Sequence, residues 1–107
     1  MTEPVLLTAR HGATAWLTLN RPQAMNALSF DLVDALLPQL QALAQDDSVR
    51  VLVITGSGKA FCAGADLKNL NEPKAPGEPD ILDRVGELLD TLRTFPKPVI
   101  GTVNGLA

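Results

Sequence analysis

Apolar and polar positions change period several times along the chain, and each change marks an element. Val5 to Ala9 is apolar, His11-Gly12-Ala13 supplies a turn, and Ala15-Trp16-Leu17-Thr18-Leu19-Asn20 alternates in the manner of a strand. The opening reads as a β-hairpin closed off at Arg21-Pro22. Beyond it Leu32, Leu36, Leu40, Leu43 and Ala44 recur at helical spacing behind Ser29, a residue suited to capping, which predicts a helix with one buried face. Pro38 interrupts that stripe. Proline removes a backbone donor at a cost of ~3 kcal/mol, so a kink or a break is expected there.

Asp46-Asp47-Ser48 closes the helix, and Val49 to Thr55 is β-branched or leucine at every position but Arg50. That is the composition of a strand covered on both faces, as in a parallel sheet. Gly56-Ser57-Gly58 then breaks the chain, and Phe61-Cys62-Ala63-Gly64-Ala65 leads through small residues into a short helical start at Asp66 to Leu70. Asn71 to Pro79 holds prolines, a glycine and charges, the make-up of an exposed, mobile loop. Asp80 is placed to cap a second long helix, with Ile81, Val85, Leu88, Leu89 and Leu92 on one side and Glu87, Asp90 and Arg93 toward water. Phe95-Pro96-Lys97-Pro98 stops it, Val99 to Val103 is a strand, and Asn104-Gly105 is a turn. The order β-β-α-β-α-α-β predicts an α/β fold with parallel crossovers and helices on both sides of the sheet.

Composition narrows the function more than the fold. The chain has 107 residues, 46% hydrophobic and 20% charged, so it is globular and has the length of one small domain or part of one. A net charge of −3 without a run of Lys or Arg gives no support to nucleic-acid binding. Cys62 is the one cysteine and His11 the one histidine, which excludes an internal disulfide and a Cys/His zinc cluster and fits a reducing compartment. No signal peptide and no span of ~20 apolar residues is visible, so a cytoplasmic location and no membrane partner are expected.

The informative stretch is the bend at Ala63-Gly64-Ala65. It has no reactive side chain, so chemistry there must come from the main chain. Small residues let a ligand approach the backbone, and the start of a helix leaves N–H groups without internal partners, pointed toward negative charge. That describes half of an oxyanion hole, in which one donor is typically worth ~3 kcal/mol of transition-state stabilisation. Such bends are also common as plain connections between strand and helix.

Several separated stretches add to that reading. Asn20-Arg21-Pro22 precedes Asn26-Ala27-Leu28. Ile54-Thr55-Gly56 precedes Lys59-Ala60-Phe61-Cys62-Ala63-Gly64-Ala65-Asp66-Leu67. Lys97-Pro98-Val99-Ile100 precedes Val103-Asn104-Gly105. In order and spacing these resemble the enoyl-CoA hydratase/isomerase (crotonase) family from about Trp16 to Ala107. The resemblance implies a crotonase-like spiral of β-β-α units, of which residues 1–107 form the N-terminal part of one incomplete domain. It implies an acyl-CoA substrate, with coenzyme A as part of that substrate and no separate cofactor or metal. It places the Ala65 N–H on the thioester oxygen, as the catalytic group. Ala63, Gly64, Asp66, Leu67 and Lys68 fall along the pantetheine and adenine end of CoA, with Gln23, Ala24, Met25 and Ala27 on the opposite wall. Where Gln23 stands the family often has a basic residue.

The family's second oxyanion donor comes from a glycine-rich turn just past Asn104-Gly105, and its acid/base carboxylates lie later. Residues 1–107 alone are therefore expected to be inactive, lacking a proton-transfer step commonly worth ~10²–10⁴-fold. The parent enzyme is expected to add water to a 2-enoyl-CoA in fatty-acid or related acyl-CoA metabolism, as a homotrimer or homohexamer. An enoyl isomerase, another reaction of the family, or a non-catalytic binding subunit are the alternatives.

Other side chains have plainer explanations. Cys62 lacks a His or Asn partner and sits beside Phe61, as a small buried hydrophobe does. His11 in a hairpin turn is an exposed imidazole, Asp66 at a helix start is a cap before it is a base, and Lys68 meets either solvent or a CoA phosphate. Trp16 is expected in the core, and Asp46-Asp47 is a solvated helix end. Gly56-Ser57-Gly58-Lys59 lacks the spacing of a nucleotide phosphate loop.

Overall fold

The computed structural model describes residues 4–72 and 76–105. Its elements are β1 (Leu6–His11), β2 (Thr14–Leu19), α1 (Phe30–Gln45), β3 (Val51–Gly56), α2 (Leu67–Asn71), α3 (Ile81–Arg93) and β4 (Val99–Thr102), with a 3-10 turn at Pro22–Ala24. The element order is the one the periodicity predicts. Part of the proline-rich stretch, Pro73 to Ala75, lies outside the described residues.

Gly12 turns the hairpin with φ +60°, a left-handed conformation that glycine adopts freely. β1 and β2 then pair antiparallel, β2 and β3 run parallel with Trp16 beside Val53, and β3 and β4 run parallel with Leu52 beside Val99. The sheet order is β1-β2-β3-β4. Alternation along β2 sends Ala15, Leu17 and Leu19 into the core, where they meet Leu52 and Ile54 of β3. α1 covers them with Leu32, Val33, Leu36, Leu37, Leu40 and Leu43, and α3 adds Leu88.

Helix ends follow local chemistry. The Ser29 hydroxyl accepts from Leu32 N–H at 3.2 Å, and Asp80 accepts from Leu82 N–H at 3.3 Å. At the far end of α1, Lys97 Nζ donates to the carbonyls of Leu43 and Asp46 at 2.6 and 2.5 Å, placing a cation on the negative end of the helix.

Several sequence expectations need correction. α1 runs unbroken across Pro38. Both Pro38 and Asp34, whose carbonyl loses its donor, are exposed, so solvent is available to the freed oxygen. Trp16 is only half-buried. Period two puts it on the sheet face opposite Ala15 and Leu17, where its ring meets His11 edge-on with centroids 6.2 Å apart. Leu89 is 57% exposed, because it stands one step around α3 from the buried Leu88. β3 is covered on both faces as expected, with Leu52, Val53 and Ile54 all buried, yet the core of the described residues lies on one face of the sheet.

Candidate functional site

The bend after β3 is held from two directions. On one side, the strand-like segment 25–28 runs alongside 63–66, with Leu28 bridged in parallel to Ala65. Ala63 N–H donates to Met25 O at 3.1 Å, Leu28 N–H to Gly64 O at 2.7 Å, and Asp66 N–H to Leu28 O at 3.0 Å. In a parallel bridge the groups flanking the bridged residue make the ladder, and that residue's own N–H points the other way. Accordingly, among the described residues the Ala65 N–H has no hydrogen-bond acceptor. Gly64 makes the reversal possible with φ +98°, and a Cβ there would meet nothing within 4 Å, so the requirement for glycine is one of backbone angle.

On the other side, Asn26 is fully buried at 0% exposure. Its Oδ1 accepts from Arg21 N–H at 2.7 Å, and its Nδ2 donates to Ser57 O and Ala60 O at 2.9 and 2.8 Å. Arg21 Nη1 donates to Ala27 O at 2.5 Å, and Nη2 stands 3.0 Å from Asp66 Oδ2. Asp66 is also the N-cap of α2, accepting from Lys68 N–H at 2.8 Å. Burial acts to raise its carboxyl, but the Lys68 amide and the Arg21 guanidinium outweigh it and hold the group below the usual carboxylate range. A carboxylate so engaged stays ionised and serves as an anchor.

Between these supports lies a cavity of about 300 Å³ lined by Ala24, Met25, Ala27, Ala63, Ala65, Asp66 and Leu67. Most of the residues singled out from the sequence thus share one hollow. Gln23 is exposed on the adjoining 3-10 turn, and Gly64 contributes its backbone reversal. Lys68 is exposed and lines a neighbouring hollow of about 230 Å³ with Arg21, Ser29 and Asn69. A larger hollow of about 510 Å³ lies between β1, β2 and the end of α1, with Arg10, Gln39 and Asp46 in its wall, and contains none of the predicted site residues. Behind the bend Phe61 and Cys62 border an apolar cavity of about 150 Å³ with Leu19, Leu28 and Leu88, so Cys62 packs as a partly buried hydrophobe.

Comparison with known proteins decides the family. Residues 14–107 match the enoyl-CoA hydratase/isomerase family model. The chain belongs to the enoyl-CoA hydratase/isomerase family. Among relatives of this enoyl-CoA hydratase/isomerase chain is the 2,3-dehydroadipyl-CoA hydratase of Escherichia coli (strain K12), 41% identical over 95% of this chain and 39% of that protein. The small ribosomal subunit protein mS47 of Schizosaccharomyces pombe is 32% identical over 97% of this chain and 25% of that protein. A crystal structure of an enoyl-CoA hydratase from Mycobacterium smegmatis superposes with a TM-score of 0.86 at 44% identity, covering 94% of this chain and 40% of that one. The chain thus spans less than half the length of the relatives it matches. The fold is that of the crotonase family, of which these residues form an α/β part with a mixed sheet.

Two residues carrying the site's geometry, Arg21 and Asn26, were not among the predicted site residues. Their signal was present in the Asn20-Arg21-Pro22 and Asn26-Ala27-Leu28 motifs, but as matched letters without a role. Among the described residues no group of His, Cys, Asp or Glu is arranged to hold a metal, and no helix is long and apolar enough to cross a membrane.

Proposed function

We propose that the polypeptide carrying this chain binds an acyl-CoA thioester and stabilises its enolate, adding water to a 2-enoyl-CoA. The observation that carries the reading is the Ala65 N–H, without an acceptor among the described residues, in the wall of a cavity that Ala24, Ala27 and Ala63 help to line. When water adds to C3 of an enoyl thioester, negative charge moves onto the thioester oxygen. A donor already aimed at that oxygen gains strength as the charge grows, so it lowers the barrier more than it tightens substrate binding. Ala63 and Gly64 let the thioester reach the backbone. Gln23, Ala24, Met25 and Ala27 flank the pantetheine arm from one wall, while Asp66, Leu67 and Lys68 flank it from the other, with the Lys68 cation toward a CoA phosphate. The second donor and the proton-transferring carboxylates are assigned by family resemblance to residues after Gly105. Coenzyme A enters as part of the substrate, with no further cofactor. Action in the cytoplasm, in fatty-acid or related acyl-CoA metabolism, and assembly as a homotrimer or homohexamer complete the proposal. Double-bond isomerisation passes through the same enolate and is the alternative within it.

The test replaces the peptide N–H of residue 65 by an ester oxygen in the full-length protein and follows loss of the enoyl absorbance of crotonyl-CoA. The expected outcome is a fall in kcat of ~10²–10³-fold with CoA binding retained. An unchanged kcat would sink the role of this amide. The likeness to mS47 favours a second reading, a non-catalytic subunit that keeps the fold. An unmodified full-length protein inert across a panel of acyl-CoAs, yet stably bound to a larger assembly, supports it.

A further inference from the structure

Asn26 combines features that its role as a motif letter does not explain. It is wholly buried, and it follows Met25 in a pair of successive left-handed residues, φ 54° and 55°, neither of them glycine. Non-glycine residues rarely take that conformation unless their surroundings demand it. The turn is held by its own backbone, with Met25 N–H on Pro22 O at 3.2 Å and Asn26 N–H on Arg21 O at 2.9 Å, and by the Asn26 amide. That amide spans from Arg21 N–H to the carbonyls of Ser57 and Ala60, so it ties the turn before α1 to the loop after β3. The space is full, since a Cβ on Gly56 would lie 2.8 Å from Asn26 Nδ2. Ala60 O accepts a second amide, Asn104 Nδ2 at 3.3 Å, which also donates to Gly58 O at 2.9 Å. Two asparagines from distant parts of the chain therefore close on one carbonyl. From Asn26 the backbone continues directly into the bonds that bracket Ala65, namely Met25 O with Ala63 N–H and both polar groups of Leu28 with Gly64 and Asp66.

We propose that Asn26 is a positioning residue for the Ala65 N–H, and that Asn104 is the second arm of the same clasp on Ala60. The proposal rests on the function assigned above to that N–H. Asn26 touches no substrate. It sets the relation of segment 25–28 to segment 63–66, and with it the direction of the Ala65 amide.

The experiment compares Asn26→Asp, Asn104→Ala and the double variant in the full-length protein. Asn26→Asp keeps the shape and the acceptor for Arg21 but removes both donors. An oxygen in place of Nδ2 faces the Ser57 and Ala60 carbonyls, so Asn26→Asp should have a lower urea midpoint; under conditions where circular dichroism still shows the folded state, kcat should be about 10- to 100-fold lower, the scale of an ångström's misplacement, with KM within about threefold. The double variant should lose less than the product of the single losses, because both side chains act on one carbonyl. In protein labelled with 15N-alanine, the Ala65 resonance, identified by its loss in Ala65→Gly, should move in both single variants. Asn104 is exposed, so Asn104→Ala carries the comparison if Asn26→Asp does not fold. An unmoved Ala65 resonance overturns the proposal, as does a loss of kcat matched by an equal rise in KM. If wild type turns over no acyl-CoA, the assigned function falls, while the Ala65 resonance still decides the positioning.

Discussion

Removing the charge of Asp66 tests how the two walls of the cavity are joined. The Arg21 and Asp66 side chains are 16% and 14% exposed, with Nη2 3.0 Å from Oδ2. At an effective dielectric of about 20 and a charge separation of about 4 Å, their gross attraction is ~4 kcal/mol. Desolvation of the two ions offsets much of this, so a net coupling of about 1–2 kcal/mol is expected, above the range of ~0–1 for exposed pairs. Asp66→Asn keeps an oxygen able to cap α2 while removing the charge, and Arg21→Met removes the cation while keeping the bulk of its stem. Urea unfolding of wild type, both single variants and the double variant isolates the coupling.

The pH dependence supplies a second check with a definite sign. The folded carboxyl of Asp66 titrates below its ordinary 3.8, so the stability this contributes is fully present above that value and is lost as pH falls through the lower folded one. Wild type and Asp66→Asn should therefore differ by a constant amount from about pH 7 to about pH 5 and converge below 3.8. A coupling under ~0.3 kcal/mol, or a stability difference that changes between about pH 7 and about pH 5, would refute the reasoning.

Substitutions at three further positions test the loop behind the site and the helix α1. Gly56→Ala places a methyl 2.6 Å from Phe61 O and 2.7 Å from Ala60 O, both backbone atoms. It should cost about 1–3 kcal/mol, read as a lower urea midpoint, and an unchanged midpoint would contradict the close approach. Pro38→Ala restores a donor toward Asp34 O in an exposed part of α1. Against a gain of ~3 kcal/mol stands ~1 from the looser unfolded chain, so a rise of about 2 kcal/mol is expected by the same measurement. Ser29→Ala removes the acceptor of Leu32 N–H and should lower stability by ~1 kcal/mol, whereas Ser29→Asp should retain it.

The fold was legible where periodicity and end chemistry agreed. Leu32, Leu36, Leu40 and Leu43 behind Ser29 predict one buried stripe, and Asp66 and Asp80 are placed to cap; each has that role. The errors fall where one signal stood alone. Pro38 reads as a breaker by residue type alone, which carries no sign that its side of the helix faces water. Leu89 falls with the apolar side of α3 when hydrophobicity alone is used, because only helical angle distinguishes it from Leu88. Trp16 is expected in the core as a large apolar residue of the strand, although the alternation that predicts the strand also places it opposite Leu17.

The site was less legible for a reason built into its chemistry. Every residue other than proline carries an N–H, so no letter at position 65 distinguishes a donor that reaches a ligand from one used in a ladder. What distinguishes it is the pairing of 25–28 with 63–66, which turns the flanking amides inward and leaves this one outward. That pairing depends in turn on Asn26, whose acceptors lie 31 and 34 positions further along the chain. Local sequence shows a polar residue between Met25 and Ala27 and nothing of its partners. Small residues at 63–65 mark where a backbone can be approached. The direction of its amide is set by a buried side chain on another segment, which is why substitutions remote from any ligand should govern this bend.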